Sequence, residues 1–147
     1  MKRLLLIIED DENVALIYKE YFENRAYEVL TAATGEDGLR LALREIPDTV
    51  ILDLRLPDIF GINVLRSIKE THPAVPVVVM TGYGEIGDAV KAMKLGAEYY
   101  FQKPIDLEEL SVIVEKSLGI KQMRQEASLS RRSHYPIVGK SAQTREL

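Results

Sequence analysis

The chain has 147 residues, 46% of them hydrophobic and 29% charged, with a formal net charge of −4 and no cysteine. This composition suits one soluble domain of ordinary size plus a tail, and it excludes a disulfide framework, so a reducing cytoplasm is the expected setting. The mild acidity argues against a nucleic-acid-binding face, which would carry a basic stripe. Met1-Lys2-Arg3 before Leu4-Leu5-Leu6-Ile7-Ile8 imitates a signal peptide, but Glu9 cuts the apolar run short, and no later run is long enough to span a bilayer.

In chain order, strand-like and helix-like segments alternate five times. Leu4 to Ile8 reads as a buried strand, and the acids Glu9-Asp10-Asp11-Glu12 follow it. Val14, Ile17, Tyr18, Tyr21 and Phe22 recur at helical spacing and predict a first helix to about Arg25, with acids at its positive end. Tyr27 to Ala32 is the second strand. Thr34, Glu36 and Asp37 offer caps for a second helix carried by Leu39, Leu41, Ala42 and Leu43 and stopped by Pro47.

Thr49 opens the third strand, Val50-Ile51-Leu52-Asp53, which breaks at Leu56-Pro57. Its unalternated β-branched and aliphatic residues predict a strand covered on both faces, as in a parallel sheet between helices. A third helix carries Ile62, Val64, Leu65 and Ile68 and closes at His72-Pro73; the fourth strand is Val75 to Met80, ending in Thr81-Gly82. Glu85 to Leu95 predicts a fourth helix through Ile86, Ala89, Val90 and Met93, with Gly96 as its stop. The fifth strand is Glu98 to Gln102, and Asp106 caps a last helix that turns Leu107, Leu110, Ile113, Val114 and Leu118 inward. The expectation is a five-stranded, doubly wound parallel sheet with five helices, a flavodoxin-like (βα)5 fold.

Beyond Gly119 the residues turn polar, with no core to cover, so 120–135 reads as a linker or as an extension of the last helix. Ile113, Ile120 and Ala127 lie seven apart, a spacing compatible with a self-associating helix. Residues 136–147 read as the truncated start of a second domain.

The candidate chemistry lies where strand ends meet. In such a sheet Glu9 and Asp10, Asp53, Thr81 and Lys103 come to one edge, the edge where open α/β sheets bind ligands. Clustered carboxylates repel by about 4 kcal/mol per pair at roughly 4 Å and an effective dielectric near 20. A cation relieves this, and an all-oxygen donor set with an open position suits Mg²⁺. Asp53 can then act as a nucleophile on phosphorus, with Lys103 and Thr81 meeting charge on the phosphoryl oxygens. Taken singly, each residue also has an ordinary role: a helix cap for the acidic run, a turn residue for Asp53, a strand end for Thr81, a solvated loop lysine for Lys103. Tyr99 and Tyr100 read as core.

Ile8-Glu9-Asp10-Asp11, Leu52-Asp53-Leu54-Arg55-Leu56-Pro57 with Gly61, Met80-Thr81-Gly82-Tyr83-Gly84, Leu95-Gly96-Ala97 and Gln102-Lys103-Pro104 together resemble the receiver domain of two-component response regulators over residues 3 to about 119. The resemblance implies that Asp53 is the phosphoacceptor, that Asp10 and the Arg55 backbone carbonyl are direct Mg²⁺ ligands, and that Glu9 is a ligand through water. Lys103 would be the phosphate partner, Thr81 and Tyr100 the switch pair, and Lys103-Pro104 a cis peptide. Asp11 leaves the register of the acidic pair open, and Phe60 stands where the family often has a small polar or acidic residue, which leaves the capping of the third helix open as well.

Tyr135-Pro136-Ile137-Val138-Gly139-Lys140-Ser141 with Arg145-Glu146-Leu147 resembles the opening of the AAA+ ATPase module of NtrC-type activators. The implied function is a switch rather than an enzyme: a sensor histidine kinase phosphorylates Asp53, and the surface of helix four, strand five and helix five changes. That surface and the extended last helix would form a homodimer, while DNA and sigma factor would be met only by domains beyond this segment. The alternative is a phosphate-independent interaction module on the same fold. A flavodoxin-like cofactor site is disfavoured because Glu9-Asp10-Asp11 would repel a phosphate, and a dehalogenase-type phosphohydrolase because Arg55 stands where it needs a second acid.

Overall fold

The structure, a computed structural model, describes residues 2–82 and 86–133. Tyr83-Gly84 and the tail motif at 135–147 lie outside them. β1 (Arg3–Ile8), β2 (Tyr27–Ala32), β3 (Thr49–Asp53), β4 (Val77–Thr81) and β5 (Tyr99–Gln102) alternate with α1 (Glu12–Glu23), α2 (Gly35–Glu45), α3 (Gly61–Thr71), α4 (Ile86–Lys94) and α5 (Leu107–Ser133). All strand pairs are parallel and the sheet order is β2-β1-β3-β4-β5, the doubly wound, flavodoxin-like topology expected.

The absence of polar alternation in the strands is explained by two cores, one on each face. Leu6, Ile8, Val50, Leu52, Val77 and Val79 pack with Val64, Leu65 and Ile68 of α3 and Ala92 of α4. Leu5, Ile7, Ile51, Val78 and Met80 pack with Tyr18 and Phe22 of α1 and Leu110, Val114 and Leu118 of α5. Each fully buried Leu or Ile contributes about 2 kcal/mol, so the central strands are held from both sides.

Local chemistry sets the helix ends. Thr34 Oγ1 accepts the Asp37 N–H at the start of α2, and Asp106 Oδ1 accepts the Glu108 N–H at the start of α5. Gly96, at φ 107°, makes the turn after α4, and the next N–H, of Ala97, closes onto the Ala92 carbonyl. At the end of α2 the same left-handed task falls to Ile46, at φ 48°, a poor residue for it. Phe60 precedes α3 without a side-chain cap.

Some expectations need correction. β4 begins at Val77, because Pro76 has no N–H to give the ladder, although Val75 is still buried. α4 buries the small residues Ala89 and Ala92, which let the helix approach the sheet, and turns Val90 and Met93 outward. On α1 it is Ala15, Tyr18 and Phe22 that face the core, and Ile17 is exposed. Tyr100 is not core: β5 is an edge strand whose alternation buries Phe101 and leaves Tyr100 48% exposed.

Leu118 is the last buried residue of α5 among those whose burial is described, yet the helix continues to Ser133. Arg124, past the end of that core, reaches back to the Glu98 carboxylate and to the Pro73 carbonyl. Glu98 is also paired with Lys69 at 3.2 Å and accepts the Val77 N–H, so one buried carboxylate ties together α3, β4, β5 and the extension of α5.

Candidate functional site

Asp53 is the last residue of the central strand, 3% exposed, at the carboxyl edge of the sheet. The parallel order sets β1 and β4 on either side of β3, so Glu9 and Thr81 flank it. Glu9 stays extended after β1 by donating its N–H to the Ala32 carbonyl, and its side chain folds inward to 1% exposure. Lys103 continues the β5 ladder through its N–H to the Thr81 carbonyl, and the Lys103-Pro104 peptide is cis.

Lys103 joins the carboxylates. Its Nζ is 2.9 Å from Asp53 Oδ2, a well-directed hydrogen bond, and 2.8 Å from Glu9 Oε1. The second contact is an ion pair by distance without hydrogen-bond angles, so Glu9 Oε1 is buried with no hydrogen-bond partner. Burial pushes the Glu9 carboxyl above the usual range, against the pull of Lys103 and of the Asp11 N–H at 3.0 Å from Oε2. For Lys103 burial acts to lower the pKa, but the Glu9 and Asp53 carboxylates at its ammonium outweigh this and hold it above its ordinary value.

The acidic run divides its labour. Glu9, Asp10 and Asp53 each bring a carboxylate oxygen within 4.8 Å of the others, with Asp10 on the exposed side. Asp11 instead caps α1 by accepting the N–H groups of Asn13 and Val14. A cluster of three acids, all-oxygen and open on one side, with a buried Glu9 Oε1 that accepts no hydrogen bond, fits a hard divalent cation such as Mg²⁺. Arg55, two residues beyond Asp53, donates its N–H to Asp53 Oδ1 at 2.9 Å and so follows the site closely.

Thr81 is buried, and among the described residues its Oγ1 makes one long hydrogen bond, 3.4 Å, to the Phe101 carbonyl. Tyr100, the other half of the expected pair, stands on the outer face of β5. Gly61 proves essential to the shape: a Cβ there would lie 2.5 Å from Leu54 Cα and 2.7 Å from the Asp53 carbonyl oxygen. Sequence reasoning did not single out Asp58, whose carboxylate accepts the N–H groups of Gly35 at 2.7 Å and Glu36 at 3.0 Å. No local signal marks it, since its partners lie 22 and 23 residues back in the chain.

The response regulator receiver domain model matches residues 5–115. The chain belongs to this family. The receiver is 37% identical over 112 residues to the luminescence regulatory protein LuxO of Vibrio campbellii, covering 76% of this chain and 25% of that protein. It is 33% identical over 121 residues to sporulation initiation phosphotransferase F of Bacillus subtilis, covering 82% of this chain and 98% of that one. Among solved structures, NtrX from Brucella abortus superposes with a TM-score of 0.84 at 28% identity, over 96% of this chain and 32% of that chain. The receiver therefore spans about a quarter of the length of the LuxO relatives it matches. No helix among the described residues is long and apolar enough to cross a membrane.

Proposed function

We propose that this receiver is a phosphorylation switch with Asp53 as its phosphoacceptor. The observation that carries the reading is a buried strand-end carboxylate bonded to Lys103 Nζ at 2.9 Å with two further acids beside it. An Asp53 oxygen attacks the phosphorus of a phosphohistidine on a sensor histidine kinase; a P–O bond forms, the P–N bond breaks, and the departing imidazole takes up a proton. Glu9, Asp10 and Asp53 with the Arg55 carbonyl would hold Mg²⁺, Glu9 through water, and the bound ion supplies positive charge toward the phosphoryl oxygens. Lys103 meets a second oxygen as an ammonium, and the Thr81 hydroxyl a third.

Thr81 is weakly held by its long bond to Phe101, so it is free to turn toward new phosphoryl oxygens, and Tyr100 can then turn inward. The face of α4, β5 and α5 changes as a result; these elements expose Val90, Met93, Tyr100 and Val112, apolar surface suited to a homodimer that continues along α5. Moving such an equilibrium from 1:99 to 99:1 requires about 5.5 kcal/mol of differential stabilisation. The chain does not act as an enzyme on another substrate. Residues 1–119 form the receiver, 120–135 a linker or extension of the last helix and 136–147 the start of an AAA+ module, in a cytoplasmic NtrC-type activator whose DNA and sigma-factor contacts lie elsewhere. The short coverage of LuxO and NtrX is consistent with that division.

Intact mass after incubation with acetyl phosphate tests the core of this reading. One phosphoryl group should be gained with Mg²⁺, none with EDTA, and none in Asp53→Asn. No gain from several donors or candidate kinases would favour a phosphate-independent interaction module.

A further inference from the structure

We infer that Asp58 is a positioning residue for the divalent cation, acting through the loop that carries the Arg55 carbonyl; the inference rests on the Mg²⁺ site proposed above. Residues 54–60 connect β3 to α3 over an exposed edge, with Arg55, Pro57, Asp58 and Phe60 all exposed. At its first end the loop is fixed by the Leu54 N–H to the Met80 carbonyl at 3.1 Å and by the Arg55 N–H to Asp53 Oδ1. At its far end the Gly61 N–H donates to the Leu54 carbonyl at 3.0 Å, and Phe60 contributes no cap. Between them Asp58 tethers the loop through its side chain: its two oxygens take the first two N–H groups of α2, 22 and 23 residues away in sequence.

This arrangement is more than a cap for α2. That helix already has Thr34 as its N-cap, bonded to the Asp37 N–H at 3.1 Å, and two acids in its first turn. The Asp58 bonds are charge-assisted and aimed at the positive end of the helix, which holds the carboxyl below its usual range, with the Glu36 N–H the larger cause and the Gly35 N–H next. Packing supports the same seam: a Cβ on Gly35 would lie 3.2 Å from Ile59, so the loop and α2 are in close contact there. A rigid helix of the domain thereby fixes the path of the loop through Asp58, and with it the Arg55 carbonyl in the metal site proposed above. Groups that orient metal ligands from behind typically change affinity by about 10–100-fold when removed.

The test is Mg²⁺ binding by isothermal titration calorimetry on the full chain without any phosphodonor, for wild type, Asp58→Ala, Asp58→Asn and Thr34→Ala. Asp58→Ala should weaken Mg²⁺ about tenfold, at the lower end of that range. Asp58→Asn, which keeps one acceptor and loses the charge, should fall between it and wild type, and it carries the test if the alanine variant does not fold. Thr34→Ala removes the other cap of the same helix while both Asp58 bonds remain, and should weaken Mg²⁺ by clearly less than Asp58→Ala does. Equal Mg²⁺ affinity in wild type and both Asp58 variants, or an equal loss in Thr34→Ala, would overturn the positioning role while leaving the metal site standing. Absence of Mg²⁺ binding by wild type would remove the metal site itself and the inference with it.

Discussion

Replacing Lys103 by Met keeps the aliphatic stem and removes the cation 2.8 Å from Glu9 Oε1 and 2.9 Å from Asp53 Oδ2. Both carboxylates are buried, so water replaces the ammonium poorly. With oxygens no more than 4.8 Å apart, Glu9 and Asp53 repel by at least about 3.5 kcal/mol at an effective dielectric near 20. Glu9 can escape by protonating, and its pKa already lies above its usual 4.5 because of burial. Protonating a carboxyl of pKa 4.5 costs about 3.4 kcal/mol at pH 7, which caps the penalty, and about 0.7 kcal/mol at pH 5. The sign follows: a folded state that keeps a proton the unfolded chain has lost is destabilised as pH rises above the ordinary carboxylate range, and removing the lysine widens that window upward. Urea unfolding in EDTA should therefore show a loss of about 3 kcal/mol at pH 7 and under about 1 kcal/mol at pH 5 relative to wild type. Millimolar Mg²⁺ should return part of the loss at pH 7 by binding the folded state. A loss of the same size at both pH values would refute the view that carboxylate repulsion is what Lys103 relieves.

Two backbone predictions follow from the same geometry. Ile46→Gly should raise stability by about 1 kcal/mol, seen as a higher Tm, because a left-handed conformation costs a residue with a Cβ roughly 1–2 kcal/mol and the Ile46 side chain, half exposed, loses little packing. Gly61→Ala should lower stability by about 2 kcal/mol, since its Cβ would meet backbone rather than a movable side chain, and it should also slow phosphorylation of Asp53 by displacing the strand end; unchanged melting and an unchanged rate would show that the loop yields without cost.

The parts of the site legible in the sequence were those tied to strand ends. Asp53 follows an unalternated apolar run, and a parallel sheet brings such ends to one edge whatever the helices between them do. Side-chain direction was less legible. Val90 and Met93 fit a helical stripe as well as Ala89 and Ala92 do, and only the closeness of α4 to the sheet decides that the small residues face inward. Tyr100 and Phe101 are adjacent aromatics that composition cannot tell apart, and the edge position of β5 sends one out and one in.

The order of elements, their parallel arrangement and the residues at the site were thus determined by hydrophobic period and turn chemistry, which act over a few neighbours. Tertiary structure alone decided what depends on contacts far apart in sequence: that Lys103 bridges Glu9 and Asp53, that Asp11 caps a helix while Glu9 turns inward, and that Glu98 collects Lys69 and Arg124. The same holds for Asp58, whose partners lie 22 and 23 residues back. Such pairings have no local signature, because a carboxylate in a loop reads alike whether it meets water or the end of a distant helix.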